Sequence, residues 1–117
     1  MNYDDAKENC YNKGAKLFEP KNIYENEFIM NLTQKNDLNA YWIGIHKGLN
    51  GLSVYSSDNS TLTWSHFDAL AKPEEQNNVC ALVSFDDGVA AWKDQDCSLK
   101  KHSVCDTHIG KSSFHVS

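Results

Sequence analysis

Arginine is absent from this chain of 117 residues: all 11 basic side chains are lysines, set against 16 carboxylates for a net charge of −5. Nucleic-acid recognition needs a basic footprint and commonly the bidentate fork of arginine, so that class of partner is not expected. A heparin-like polyanion is disfavoured for the same reason, and only Lys100 and Lys101 are adjacent. No apolar run reaches the roughly 18 residues that a membrane helix needs. No basic-apolar-small segment opens the chain, so the sequence is expected to be a mature product or an excised piece of a longer protein. Cysteine pairs of the Cys-x-x-Cys type are missing as well, which argues against a structural zinc site.

The four cysteines are Cys10, Cys80, Cys97 and Cys105. They allow three pairings, and counting alone does not choose among them. Their even number in a small chain, with acceptor sequons at Asn31-Leu32-Thr33 and Asn59-Ser60-Thr61, points to an oxidising, extracellular compartment. A hydrophobic fraction of 40% with 11% aromatics is that of one globular domain with a single core.

Val79 to Phe85 and Val89 to Asp94 are apolar, β-prone runs on either side of Asp86-Asp87-Gly88, and they read as a hairpin. Asn2 to Lys13 reads as a helix with acidic residues Asp4 and Asp5 in its first turn, Tyr3, Ala6 and Cys10 on one face, and Gly14 to stop it. Ala15 to Phe18 is extended. A second helix is expected from Asn22, with Glu25 completing a capping box. Tyr24, Phe28 and Leu32, with Ile29 beside them, form its expected buried stripe. Ala40 to Ile45 reads as a strand buried on both faces, and Gly44 within it marks close approach of another backbone. Residues from Lys47 to Leu62 read as loop or a loose hairpin, and Trp64 to Asn78 as irregular. A flexible tail is expected over 108–117.

In their order, these elements resemble the C-type lectin-like domain. The carrying residues are Ala6, Cys10, Gly14, Leu17, Glu27-Phe28-Ile29, Trp42-Ile43-Gly44-Ile45, Leu62-Thr63-Trp64-Ser65, Pro73, Cys80, Trp92-Lys93-Asp94, Cys97 and Val104-Cys105. The resemblance implies an α+β fold over residues 1–107, with two helices flanking small antiparallel sheets and a long-loop region between Ile45 and Cys80. It also implies the disulfides Cys10–Cys105 and Cys80–Cys97.

Sugar-binding members of that family use an acidic-Pro-amide triplet, a Glu before the third matching cysteine and a Trp-Asn-Asp triplet as oxygen ligands for calcium, a cation that takes about six to eight oxygens. Here the corresponding residues are Lys72-Pro73-Glu74, Asn78 and Trp92-Lys93-Asp94. Two oxygen donors are thereby replaced by ammonium groups, and pairing of Lys72 and Lys93 with Glu74 and Asp94 is expected instead of a metal. The reading is a non-catalytic extracellular domain, secreted or part of an ectodomain, with no cofactor. It recognises a protein or glycan through Lys72, Glu74, Glu75, Asn78, Lys93 and Asp94, with Trp64 and Phe67 nearby. The alternative is calcium-dependent sugar binding with Glu75 or Asp96 as atypical donors.

An enzyme is not expected. Glu74, Glu75, Asp94 and Asp96 could form a glycosidase pair only at a set separation, no nucleophile elbow is visible, and His46, His66, His102, His108 and His115 have no short metal-ligand spacing. Family members carry a strand before the first helix, whereas only Met1 and Asn2 precede it here. The last strand is therefore expected to have an uncovered edge, open to pairing in a homodimer.

Overall fold

The computed structural model describes residues 1–48, 52–65, 79–86, 89–107 and 113–116. Helix α1 spans Tyr3–Asn12, and the Asn2 side chain accepts from the Asp5 amide at its start. At its end the Gly14 amide donates to the Tyr11 carbonyl and the Ala15 amide to that of Cys10, with Gly14 at φ +69°. Only a residue free to adopt that left-handed backbone closes the helix this way. Tyr3, Ala6 and Cys10 are buried, as their spacing predicts.

Helix α2 spans Ile23–Lys35 and is capped by Asn22, whose side chain accepts from the Glu25 amide, while the Glu25 carboxylate takes the Lys21 amide. Its buried face differs from the one expected. Tyr24 is 80% exposed, Phe28 is 59% exposed and Leu32 is only partly buried, whereas Asn26, Ile29, Met30 and Thr33 face the core. The polar pair is tolerated because each side chain finds a partner: Asn26 Oδ1 accepts from Trp92 Nε1 at 2.8 Å, and Thr33 Oγ1 donates to the Met30 carbonyl at 2.9 Å.

The strands are β1 (Lys16–Leu17), β2 (Ala40–Lys47), β3 (Ser53–Tyr55), β4 (Val79–Asp86), β5 (Val89–Asp96), β6 (His102–Thr107) and β7 (Ser113–Val116). They form one sheet in the order β1-β6-β2-β4-β5, with β3 added to β2 and β7 to β6. The β4–β5 hairpin pairs continuously from Val79↔Asp96 to Asp86↔Val89, and its turn residues Asp87 and Gly88 lie outside the described residues. The sheet is mixed: β2 and β6 run parallel at Tyr41↔His102 and Trp42↔Ser103. Residues 113–116, assigned above to a flexible tail, form β7 and pair with Val104–Thr107. The edge of β6 expected to be bare is thus covered there by the chain itself, and Phe114 lies edge-on to Phe18 at 5.5 Å.

Alternation along β2 divides the interior in two. Tyr41, Ile43 and Ile45 join Ile29, Met30, Val83, Trp92 and Val104 beneath α2. Trp42 points the other way, joining Tyr3, Ala6, Leu82 and the four half-cystines beneath α1. The bridges are Cys10–Cys105 and Cys80–Cys97. On the chain-entropy model they contribute about 4.7 and about 3 kcal/mol. Between Trp42 and His46 the β2–β4 register shifts. There Gly44 donates to the Phe18 carbonyl and accepts from the Ser56 amide, and a Cβ on it would come within 3.0 Å of the Leu17 carbonyl and closer still to Glu19 and Ser56.

Replacing Asn26 by Leu keeps the branched shape but removes the acceptor of the buried Trp92 Nε1–H. We expect a loss of about 1–3 kcal/mol in urea denaturation, with the slope of the transition unchanged.

Candidate functional site

The ends of β2, β4 and β5 that meet at the start of the long loop are made rigid by three features. The hairpin carries the Cys80–Cys97 bridge across its mouth. Trp64 closes edge-on over the buried Trp92 at 5.4 Å, so a residue expected near the ligand surface serves partly as core. The turn that follows β3 is bound to the segment after β1 through Glu19. This carboxylate is fully buried and takes the Ser57 amide at 2.9 Å, the hydroxyls of Ser57 and Ser56, and the ammonium groups of Lys16 and Lys21. Lys21 Nζ also sits 3.2 Å from the centre of the Tyr55 ring.

Near the end of its strand, Asp94 forms an ion pair with Lys47 at 3.4 Å, the side chains being 14% and 26% exposed respectively. The cation on Asp94 is thus supplied by β2 rather than by its neighbour Lys93. Side chains alternate along a strand, so Lys93 projects from the opposite face. Asp96 has a local role, in which its Oδ1 accepts from the Ser98 amide at 2.9 Å and from the Ser98 hydroxyl at 2.8 Å. Those two bonds hold its carboxyl below the ordinary carboxylate range. Lys72, Glu74, Glu75, Asn78 and Phe67 fall outside the described residues. Among the described residues, no three His, Cys, Asp or Glu side chains converge as a metal site.

Both sequon asparagines are exposed. Asn31 lies on the outer side of α2, and Asn59 occupies the turn after β3 with φ 59°, a left-handed position that asparagine tolerates.

Beside the disulfide is a small hollow of about 170 Å³ lined by Tyr3, Lys7, His46, Lys47 and Cys80. The Tyr3 hydroxyl lies 3.3 Å from His46 Nδ1. Burial pushes the Tyr3 phenol well above its usual range, so it keeps its proton. Burial, followed by the nearby Lys7 ammonium, pushes the His46 imidazole below its ordinary value. His46 and Lys47 were not among the expected site residues. No local pattern marks them, and only the register of β2 against its neighbours brings them to this end.

The family profile of the lectin C-type domain matches residues 1–107. Lectin BRA-3 of Megabalanus rosa is 28% identical over 108 residues, covering 90% of this chain and 64% of that protein. C-type lectin domain family 4 member A of Rattus norvegicus is 24% identical over 107 residues, covering 88% and 42%. The chain therefore spans less than two thirds of the length of either relative. The crystal structure of human lithostathine superposes with a TM-score of 0.78 at 25% identity, covering 90% of this chain and 75% of that one. No helix among the described residues is long and apolar enough to cross a membrane.

A partly buried histidine that resists protonation makes the fold sensitive to acid. The unfolded chain takes up a proton near the ordinary imidazole value of about 6.5 while the folded chain does not, so stability falls as pH drops through that value toward the lower folded one. Thermal melts between about pH 7 and 5 should show this decline, and His46→Gln should flatten it. Losses that begin only below about pH 4 belong to carboxylates such as Asp96.

Proposed function

The chain belongs to the C-type lectin domain family, and from that premise we propose that it is an extracellular, non-catalytic recognition domain. It binds a protein or glycan ligand at the long-loop end of the sheet without calcium. The observation that carries this reading is the Lys47–Asp94 pair. Asp94 closes the Trp92-Lys93-Asp94 triplet, where sugar-binding relatives present oxygen ligands, and here its charge is already balanced by an ammonium group in a partly buried setting. Such a pair is screened less than one on the open surface. A divalent ion arriving at Asp94 would have to displace Lys47.

The donor chemistry supports the same view. Lys93 and Lys72 cannot ligate a cation, and the remaining oxygens of Glu74, Asn78 and Asp94 fall short of the roughly six that calcium takes. Asp96, an atypical donor in the alternative, has one oxygen committed to Ser98. Recognition in this reading uses the side chains alone. The rigid base fits contact recognition, since a preordered surface loses less entropy on binding. Two disulfides and two exposed sequons suit an oxidising compartment and glycan addition at Asn31 and Asn59.

The test is capture of the protein on arrays of immobilised glycans and of cell-surface proteins, with and without a chelator. Retention should be the same in both. Asp94→Ala should weaken it by about tenfold or less, the effect of removing one partner of a partly buried ion pair. Retention abolished by the chelator would refute the proposal.

A further inference from the structure

Helix α2 carries apolar side chains on both of its faces. One face covers the core, and on the other Tyr24 and Phe28 lie one turn apart, 80% and 59% exposed. Phe28 leans on Phe114 of β7, with 5.9 Å between ring centres. A helix at the surface of a domain ordinarily keeps its apolar residues on the covered side, and neighbouring exposed ones mark a contact surface. Asn31 and Lys35 continue the stripe at helical spacing, and both are exposed. Glu27 borders it and is exposed as well. Neither Glu27 nor Lys35 has an ion-pair partner among the described residues.

The placement of those two charges identifies the occupant. Glu27 precedes Asn31 by four residues and Lys35 follows it by four. A second α2 laid antiparallel across the first, with a two-fold axis at Asn31, therefore brings Glu27 of each copy to Lys35 of the other. An asparagine amide both donates and accepts, so the two Asn31 side chains can satisfy each other on the axis. Phe28 lies about 4.5 Å along the helix from Asn31, which sets one ring on each side of the axis. We propose that this face docks a second copy of the chain, as an antiparallel pair of α2 helices joined by Tyr24 and Phe28 and aligned by the two Glu27–Lys35 pairs. A glycan on Asn31 fills the axis, so the glycan and the second copy compete for one face. The assembly thus belongs to chains whose first sequon is unmodified.

The test is sedimentation equilibrium of the full chain made without N-glycans. One helix pair is a small interface, so a monomer–dimer equilibrium with a dissociation constant of about 10–100 μM is expected. Phe28→Glu should leave the chain monomeric up to about 500 μM. Tyr11→Ala, at a tyrosine of α1 that is also 80% exposed, should change nothing. Glu27→Lys and Lys35→Glu should each weaken the dimer by about tenfold, through two lost ion pairs and two like-charge contacts, and combining them should restore it. Asn31→Lys, which sets two like charges on the axis, should weaken it as well. Melting temperatures at low protein concentration should stay close to that of the parent, because these side chains are exposed. A parent chain that is monomeric at about 500 μM, a dimer unaffected by Phe28→Glu, or a double charge variant as weak as the single ones would each overturn the proposal.

Discussion

Strand β2 has no face left for water, and the architecture follows from the need to cover both of its sides. Tyr41, Ile43 and Ile45 require one apolar layer and Trp42 another, so a helix must be placed on each side of the sheet. The two layers are closed differently. Under α2 the closure is made by hydrophobic packing plus the Asn26–Trp92 hydrogen bond. Beneath α1 it is covalent, because Cys10 ties the helix to β6 and Cys80 ties the hairpin to the segment that follows it. A small domain whose interior is split this way has modest burial per layer, and the bridges supply what area alone does not.

That division sets the character of the long-loop end. The ends of β2, β4 and β5 are fixed from below by Trp92 and from the side by a disulfide, so the charged residues there are held in a narrow range of positions. Lys47 and Asp94 meet because Ile45 and Trp92 are locked into the same layer two residues earlier on their strands. An internal ion pair therefore occupies the position at which the family resemblance leads one to expect an oxygen ligand. The same alternation that sends Asp94 to one side sends Lys93 to the other, where it joins Lys101 along a different groove.

Much of this was legible in the chain. The Asn2 and Asn22 caps, Gly14 after the first helix, the hairpin of two eight-residue strands and the close approach at Gly44 are signalled by local chemistry. The stripe of α2 was misread because Tyr24 and Phe28 repeat at helical spacing while the true core face includes Asn26 and Thr33. Hydropathy cannot reveal that a polar side chain is buried when its partner, Trp92 in the first case, lies 66 positions away. The pairing of β7 with β6 escaped for a related reason, since a four-residue strand with one anchoring aromatic carries little periodic signal. Lys47 and His46 escaped because strand register, rather than sequence neighbourhood, gives them their role.

The Lys47 ammonium balances the carboxylate of Asp94 near the end of β5, and the metal-free recognition proposed above depends on that pair. Calorimetric titration of the chelator-treated protein with calcium, extended to about 1 mM to include the weak range of extracellular modules, examines that claim most directly. No saturable heat and an unchanged melting temperature are expected for the parent chain. A saturable site with micromolar affinity, accompanied by a rise in melting temperature, would contradict it.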